Sequence, residues 1–583
     1  MAIFTALAAA VGFITTALTS VGLSSAAAGI AANLIIGTGL SALASAFSRP
    51  PTAAKFRVPE TKAVTNQAIA ARVRGYGRMK LGGVRAFYDS ENGRLHQVIM
   101  LHSGEIAEFV ALWVGDRQVT LDENGWVEQG PWNGGFIRIL NRPGTSSSVV
   151  YATMQAYWPS VWTDDHRLRG IATLYAEFVA PKADKINNLF PELHTTPIRA
   201  TCDLSLVYDP RTDMTAFSRN PAICIRDYLL HEDGYRLDLD DIDEASFAAK
   251  ADIDDETVTR KSGSTEARYA LGGVYSFQDD PKDTLASLCA TNDGELFETP
   301  EGKIGIRGGA WEEPTVTITD RDILSYDLEE GADRFAAFNE LKTVYRSIWH
   351  DYEMQETAPW IDHMDQSRRG KIVEDLTLEW VQSATQAQRL AKIHAFKSNP
   401  KWQGTISTNL VGLNARGERV IRLIIPELEI NDVFRVVDHG IRSDLSGCEI
   451  AVSALSQETY LWDPVTEEGD EAPPPAETSP DGSLPVPVID TIAVENREFT
   501  ASTTAPVVIV TVVADRSDLS LQAQVRIDPD GPWTAMTISD EVSAVSGPLV
   551  ADETYQVRVR WLSADDTGGD WSVPENVVAT PLP

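Results

Sequence analysis

The sequence predicts a multidomain, mainly β protein with α+β insertions. At 583 residues the chain is longer than one hydrophobic core organises, which indicates three or four domains. Short runs of β-branched and aromatic residues, separated by Gly and Asn-Gly turns, recur along much of the chain. An acidic, proline-rich stretch then separates a last module from the rest.

Composition and charge exclude several classes of protein. Hydrophobic residues make up 43% and charged residues 23%, as in globular rather than fibrous or disordered chains. The net charge of −34 disfavours tight binding to nucleic-acid phosphates. The cysteines are too widely spaced for a zinc knuckle or a dense disulfide framework, and we expect reduced, buried thiols. They are Cys202, Cys224, Cys289 and Cys448.

Residues 1–48 contain no Asp, Glu, Lys or Arg. Two apolar stretches, Ala2–Thr19 and Ala26–Phe47, each approach the thickness of a bilayer when helical, and small residues between them favour a turn. A cleaved signal peptide is disfavoured because no basic n-region is present and the apolar stretch far exceeds an h-region. The segment is therefore predicted to be an apolar helical hairpin that forms a dry plug or interacts with a membrane.

Residues 49–203 are predicted to form a first β-rich region. Its β-type runs are Val84–Tyr88, His96–Leu101, Ala107–Val114 and Phe136–Leu140. Gly and Asn-Gly turns separate these runs, which indicates a β-rich domain.

Residues 204–323 are predicted to form an α+β region. Helices are expected over Asn220–Glu232, Ile242–Ala251 and Leu285–Asn292. The pair Asp240-Asp241 is expected to cap the second helix, because carboxylates are favourable at a helix N-terminus.

Residues 324–462 are predicted to form a second β-rich region. Strands are expected within Phe335–Ser347 and Gly370–Trp380, with one helix over residues 385–397. The helix is predicted because Ala387, Leu390, Ala391, His394 and Ala395 fall on one face.

An acidic, proline-rich linker is predicted over residues 463–487, followed by a separate module over residues 488–583. Alternating strands in the module, with Trp533 near an early strand, are typical of a seven-stranded sandwich. The run Thr554–Trp561 followed by Trp571-Ser572 resembles the end of a fibronectin type III domain.

No common catalytic or cofactor motif occurs, including GxSxG, GxxxxGK[ST], HExxH and GxGxxG after a strand. An acidic cluster lacks the Gly and Glu spacing of an EF-hand loop; it comprises Asp238, Asp240, Asp241, Asp243, Asp252, Asp254 and Asp255. His231-Glu232-Asp233, and His350-Asp351 with Glu353, offer acid–base side chains of the kind any long chain contains. We therefore predict no catalytic, cofactor-binding or metal-binding residues, and a protein that is not an enzyme.

A succession of motifs covers about residues 70–460. In order they are Arg74-Gly75-Tyr76-Gly77-Arg78, Leu81-Gly82-Gly83, Leu101-His102-Ser103-Gly104-Glu105-Ile106, Asn220-Pro221-Ala222, Arg226-Asp227-Tyr228-Leu229-Leu230, Gly234, Ile242-Asp243-Glu244-Ala245-Ser246-Phe247, Arg268-Tyr269, Gly272-Gly273, Asp293-Gly294, Pro314–Ile323, Asn339, Val344-Tyr345 and Gln386-Ala387-Gln388-Arg389-Leu390-Ala391. Together they resemble the phage tail protein family that includes the tip attachment protein J of lambdoid long-tailed phages. The chain departs from that family in having one type III module and no long receptor-binding C-terminus.

The resemblance implies a homotrimeric tail-tip hub whose β-barrels continue and close the tail tube. It implies distal tail, tail tube and tape-measure proteins as partners, contact with a host surface or membrane, and transient passage of DNA without specific binding. The implied location is the tail tip of the virion. Two alternatives are a tail-associated enzyme that degrades the cell wall and a membrane-anchored bacterial adhesin.

Overall fold

We describe the fold from a computed structural model, which defines residues 70–128, 132–182, 189–190, 196–331, 337–471, 484–500, 503–513, 519–540, 542–562 and 569–580. The predicted hairpin over residues 1–48 lies outside these ranges. Strands contain 45% of the residues and helices contain 16%, which confirms the prediction of a mainly β, multidomain protein. Within the described ranges, no helix has the length and apolar character required to span a membrane.

The chain forms two compact units. The main unit falls within residues 1–112, 139–180 and 197–475, and the second unit falls within residues 113–138, 181–196 and 476–583.

The first β-rich region is built on two antiparallel sheets. Its elements are β1 (Val73–Tyr76), β2 (Arg78–Leu81), β3 (Val84–Glu91), β4 (Arg94–Ser103), β5 (Ile106–Val114), β6 (Arg117–Val119), β7 (Ile137–Arg142), α1 (Ala152–Tyr157), β8 (Ile171–Val179), β9 (Ile198–Asp209) and β10 (Met214–Phe217). One sheet has the order β3-β4-β8-β7, and in the other β9 pairs with β10, β5 and β2. The long strand β9 is buried along most of its length because it lies inside its sheet, with partner strands on both sides.

The α+β region follows. Its elements are α2 (Pro221–Leu230), a 3-10 turn (Leu239–Asp241), α3 (Glu244–Asp254), β11 (Thr257–Thr259), β12 (Thr265–Ala267), β13 (Gly273–Ser276), α4 (Pro281–Cys289), β14 (Gly294–Glu298) and β15 (Ile304–Gly308). All three predicted helices are present, with α2 starting after an Asn220 side chain that accepts a hydrogen bond from Ile223 N at 3.3 Å.

The capping prediction for the second helix was wrong. Asp240 and Asp241 lie in the 3-10 turn, where Asp241 accepts a hydrogen bond from the Asp238 backbone at 3.2 Å. Asp238 and Asp241 thus form a capping box that belongs to the 3-10 turn and not to α3. Helix α3 begins later, after Asp243.

The second β-rich region contains a six-stranded sheet and a smaller four-stranded sheet. Its elements are β16 (Val316–Thr319), β17 (Ile323–Glu330), β18 (Glu340–Ser347), β19 (Glu353–Glu356), β20 (Trp360–Ile361), α5 (His363–Arg369), β21 (Val373–Leu378), α6 (Ala384–Ser398), β22 (Trp402–Thr408), a 3-10 turn (Leu410–Ala415), β23 (Val420–Ile425), a 3-10 turn (Pro426–Leu428), β24 (Ile430–Ile441), β25 (Cys448–Ala454) and a 3-10 turn (Gln457–Thr459).

The six-stranded sheet has the order β16-β23-β24-β25-β22-β17. Its two edge strands are consecutive in the chain and joined only by residues 320–322, so the sheet must curl until its edges approach each other. Side chains from all its strands fill one core, including Ile318, Ile406, Leu423, Phe434 and Ile450. The result is a barrel-like domain.

Helix α6 packs against the smaller sheet, in which β18 pairs with β19, β20 and β21. The helix predicted over residues 385–397 extends by one residue at each end. Sequence periodicity indicated one buried face, but polar side chains elsewhere on α6 are also buried because they have partners. Gln388 donates to Thr357 at 2.8 Å, and Arg389 donates to Glu266 at 2.7 Å.

The first residues of the predicted linker contact the main unit. Lys392 Nζ donates to Glu467 Oε1 at 2.5 Å, and the Gly469 amide donates to Gln388 Oε1 at 3.0 Å. Tyr345 Oη donates to Glu471 at 3.2 Å. The acidic character of this segment is therefore used in part to attach it to α6 and β18.

The second unit contains a β-sandwich. Its strands are β26 (Ile489–Thr500), β27 (Thr503–Val512), β28 (Ser520–Ile527), β29 (Thr534–Ala535), β30 (Thr537–Asp540), β31 (Ser543–Val545), β32 (Thr554–Leu562) and β33 (Glu575–Val578). The sheets β26-β27-β31-β30 and β29-β28-β32-β33 enclose one apolar core. The buried tryptophan of that core is Trp561, whereas Trp533 is partly exposed.

Candidate functional site

The sequence motifs meet where β1 and β2 approach β13. We call this place the glycine junction and define it by Gly75, Gly77, Gly272 and Gly273. A Cβ on Gly75 would lie 2.3 Å from Gly273 O, and one on Gly77 would lie 2.2 Å from Leu271 O. Gly77 also has a φ of +66°, which favours glycine. The strands can approach this closely only because these positions have no side chain.

A partly buried carboxylate holds the next motif against the junction. Asp227, on α2, accepts hydrogen bonds from Arg74 at 2.9 Å and from Tyr76 Oη at 2.8 Å. Burial and the Asp227 charge raise the pKa of Tyr76 well above its usual value, which keeps the hydroxyl as a donor. Helix α2 is thereby attached to β1 by two hydrogen bonds to one carboxylate.

His102 occupies the other side of β1. Its Nε2 accepts a hydrogen bond from the Gly75 amide at 3.0 Å, and its Nδ1 donates to Gly104 O at 3.2 Å. Burial and nearby Arg74 lower the pKa of His102 to about 4, so the ring is neutral at physiological pH. Ser205 Oγ lies 3.3 Å from His102 Nε2 but donates to Gly75 O at 2.7 Å. His102 on β4 and Ser205 on β9 therefore connect their strands to β1 through hydrogen bonds with the backbone of Gly75.

Gln382 and Trp380 connect the junction to the second β-rich region. Gln382 Nε2 donates to Arg78 O at 2.7 Å and lies 3.2 Å from Gly272 O. The Trp380 ring covers Gly273, where a Cβ would lie 2.6 Å from the indole. Motifs from four distant parts of the chain thus converge on one buried junction.

A second polar network surrounds the buried Arg419. Its guanidinium donates to Ala310 O at 3.0 Å and to Tyr460 Oη at 2.5 Å, and it lies 3.5 Å from Glu295. Lys397 donates to Asp293 at 2.7 Å and to Glu295 at 2.9 Å. Burial alone would raise the pKa of Glu295, but the surrounding cations hold it well below its ordinary value. The network joins β14 and α6 to the barrel-like domain.

The predicted acidic cluster is divided by the fold. Asp254 is fully buried and paired with Lys250, and it accepts hydrogen bonds from Asn292 at 2.8 Å and from the Ala222 amide at 3.0 Å. Asp252 and Asp255 pair with Arg211 instead, at 3.0 and 2.8 Å. The remaining members lie around the 3-10 turn before α3. Within the described part of the chain, no grouping of His, Cys, Asp and Glu is suited to holding a metal ion.

The two histidine motifs lie in turns. His231 Nδ1 accepts a hydrogen bond from the Asp233 amide at 3.1 Å, and burial lowers the pKa of His231. His350 Nδ1 lies 2.9 Å from Ser347 Oγ, and the neighbouring Asp351 pairs with Lys80 at 2.8 Å. Each motif therefore forms structural contacts, one of which is the long-range ion pair between Asp351 and Lys80. All four cysteines are buried free thiols, as expected.

Sequence reasoning missed the Arg419 network. Asp293-Gly294 stood out as a motif, but its partner Tyr460 lies 167 residues away in the chain. No local spacing signals such a contact. The charged character of Arg419 and Lys250 also concealed their burial.

No protein-family model and no curated protein matches the chain. Solved structures do show similarity. A protein of the native gene transfer agent virion particle is 13% identical with a TM-score of 0.47, over 76% of this chain and 98% of that chain. The 43 kDa tail protein of prophage MuSo2 from Shewanella oneidensis is 10% identical with a TM-score of 0.25, over 66% and 98%. Module A71 of human cardiac titin is 17% identical with a TM-score of 0.13, over 17% and 95%.

Proposed function

We propose that this chain is a structural protein of a phage-type virion that forms the hub of the tail tip. The observation that supports this most strongly is the convergence of the tail-family motifs on the glycine junction. The motif residues Arg74, Gly75, His102, Asp227 and Gly273 meet at this junction. Gln382, four residues before the motif that begins at Gln386, joins them there. Convergence of this kind is expected when the motifs specify a shared architecture rather than a catalytic centre.

The proposed hub is a homotrimer whose barrels form a ring that continues and closes the tail tube. A curled sheet with a single apolar core, joined to its neighbours by the Arg419 hydrogen bonds, suits a rigid conduit. Each chain carries a net charge of −34, which would repel passing DNA and allow it to slide without phosphate contacts. We expect the surface that lines the bore to be net negative.

The partners follow from this position. The ring would contact the distal tail and tail tube proteins above it and a host surface or membrane below it. Residues 1–48, which contain no charged side chain, would bundle inside the tube or dock the end of the tape-measure protein. The sandwich over residues 488–583, proposed as a fibronectin type III domain, would sit outside the ring.

This function requires no catalysis, and we propose that the protein is not an enzyme. A tail-associated wall-degrading enzyme is the main alternative, and a membrane-anchored adhesin is another. Zymography separates the first alternative, because clearing of a host-wall gel by the purified protein would contradict a purely structural role.

Immunogold labelling tests the proposed location. Antibodies raised against the purified full chain should label intact particles at the tail end distal to the head. Labelling of the head, or of the bacterial envelope with none on particles, would contradict the proposal.

A further inference from the structure

One face of the C-terminal sandwich carries a row of alternating arginine and tryptophan side chains. On β28 and β32 every second residue is buried in the core, so the intervening residues point away from it. We call the row the cationic ladder; its members are Arg526, Trp533, Arg558, Trp571 and Arg560. The guanidinium of Arg558 lies 4.0 Å from the centre of the Trp533 ring and 4.3 Å from that of Trp571.

The two outer arginines extend the row. Arg526 lies 4.5 Å from the Trp533 ring, and Arg560 lies 4.5 Å from the Trp571 ring. Each indole therefore contacts two guanidiniums, and the central guanidinium contacts both indoles. Cation–π contacts of this kind fix the orientation of long side chains that would otherwise be mobile.

The guanidiniums of the three arginines donate hydrogen bonds to glutamine side chains and not to carboxylates. Arg526 donates to Gln556 at 2.8 Å, Arg558 to Gln524 at 2.7 Å and Arg560 to Gln522 at 2.6 Å. Among the described residues, no Asp or Glu forms an ion pair with any of the three. Burial lowers the pKa of Arg558, and the neighbouring charges of Arg526 and Arg560 lower it further.

Three adjacent guanidiniums without a carboxylate partner among the described residues, on a chain with a net charge of −34, indicate a surface suited to an anion. We propose that the cationic ladder binds a phosphate-substituted glycan of the host cell envelope. The inference rests on the proposed function, since it assigns a ligand class to the attachment step of a tail-tip protein.

The chemistry of the row fits a phosphate group on a sugar. The planar guanidinium matches phosphate with paired N–H donors, and all three cations of the row are arginines rather than lysines. Each flanking glutamine uses its carbonyl for an arginine, so its amide N–H groups remain as donors for sugar hydroxyls. Single-stranded nucleic acid is disfavoured because it binds by stacking bases on aromatic faces, and here guanidiniums already contact both indoles.

The test measures binding of the purified full chain to immobilised lipopolysaccharide that carries its core phosphates. Wild-type protein should bind, with affinity that falls as salt is raised, and should not bind the same material after dephosphorylation with hydrofluoric acid. The double variant Arg526→Gln with Arg560→Gln should bind at least tenfold more weakly. Arg497→Gln, which changes an exposed arginine on the opposite sheet, is the matched control and should bind as wild type does.

Several results would overturn the proposal. They are failure of the wild type to bind phosphorylated lipopolysaccharide, equal binding of the dephosphorylated form, equal binding by the double variant, or equal affinity for a single-stranded oligonucleotide. If the double variant unfolds by circular dichroism, the single variant Arg560→Gln at the end of the row takes its place. Immunogold labelling of the tail tip is independent of these results, so a failed ligand assignment is distinguishable from a failed location.

Discussion

The glycine junction is expected to be intolerant of a single methyl group. In the Gly75→Ala variant the new Cβ would lie 2.3 Å from Gly273 O, 2.5 Å from Val274 Cγ1 and 2.9 Å from Leu204 Cδ1. Two of these atoms belong to the paired strand β13, and one is a backbone oxygen that cannot rotate away. Overpacking of this kind costs about 1–3 kcal/mol, and we expect Gly75→Ala to fall at the upper end, near 3 kcal/mol.

Gly440→Ala is the matched control, because Gly440 also lies in a strand and its added Cβ would meet only Glu449 O, at 3.9 Å. It should leave stability unchanged or raise it by about 0.4–1 kcal/mol, since alanine restricts the unfolded chain. Differential scanning calorimetry of both purified variants measures the difference, with Gly75→Ala melting several degrees below wild type. Equal melting temperatures for Gly75→Ala and Gly440→Ala would show that the junction tolerates a Cβ at Gly75, against the steric argument.

Four further outcomes are expected. The lowered pKa of folded Glu295 contributes stability that is present above the unfolded pKa of about 4.3 and is lost as pH falls through the folded pKa. The unfolding free energy of the Glu295→Gln variant, measured by urea titration, should therefore decline less below pH 4 than that of the wild type. Parallel curves for the two proteins would contradict this. The Trp561→Ala variant should destabilise the sandwich by about 3–5 kcal/mol in denaturant unfolding, and a loss below 1 kcal/mol would show that the core collapses around the cavity. Deletion of residues 488–583 should leave tail assembly intact but impair attachment, as seen by electron microscopy and adsorption assays; loss of assembly would place the sandwich in the hub core. Aspartates at Leu34 and Ile35 should block assembly if the apolar segment is a plug, or spare assembly and reduce genome delivery if it acts on a membrane; normal assembly and infection would exclude both roles.

Local patterns predicted the regular elements well. Alternation of apolar residues located β28 and β32, and helical periodicity located α6 to within one residue at each end. The helix predicted over Asn220–Glu232 matches α2, which runs from Pro221 to Leu230 with Asn220 as its N-cap.

Contacts between distant residues were beyond such patterns. The sequence pattern did not single out Trp561 as the indole that fills the sandwich core, because strand pairing decides which face of each strand is buried. Arg419 is buried because Asp293, Glu295 and Tyr460 surround it from other parts of the chain. The junction glycines were visible as motifs, but only the structure shows that Gly75 lies against the carbonyl oxygen of Gly273.

The central claim is that three copies of this chain form a ring that continues the tail tube. Electron cryomicroscopy of intact particles, with symmetry determined locally at the tail tip, tests it most directly. The account predicts a threefold ring below the last ring of the tube, with the barrel-like domains around the bore. Density for this chain in a peripheral fibre, or in a ring without threefold symmetry, would contradict it.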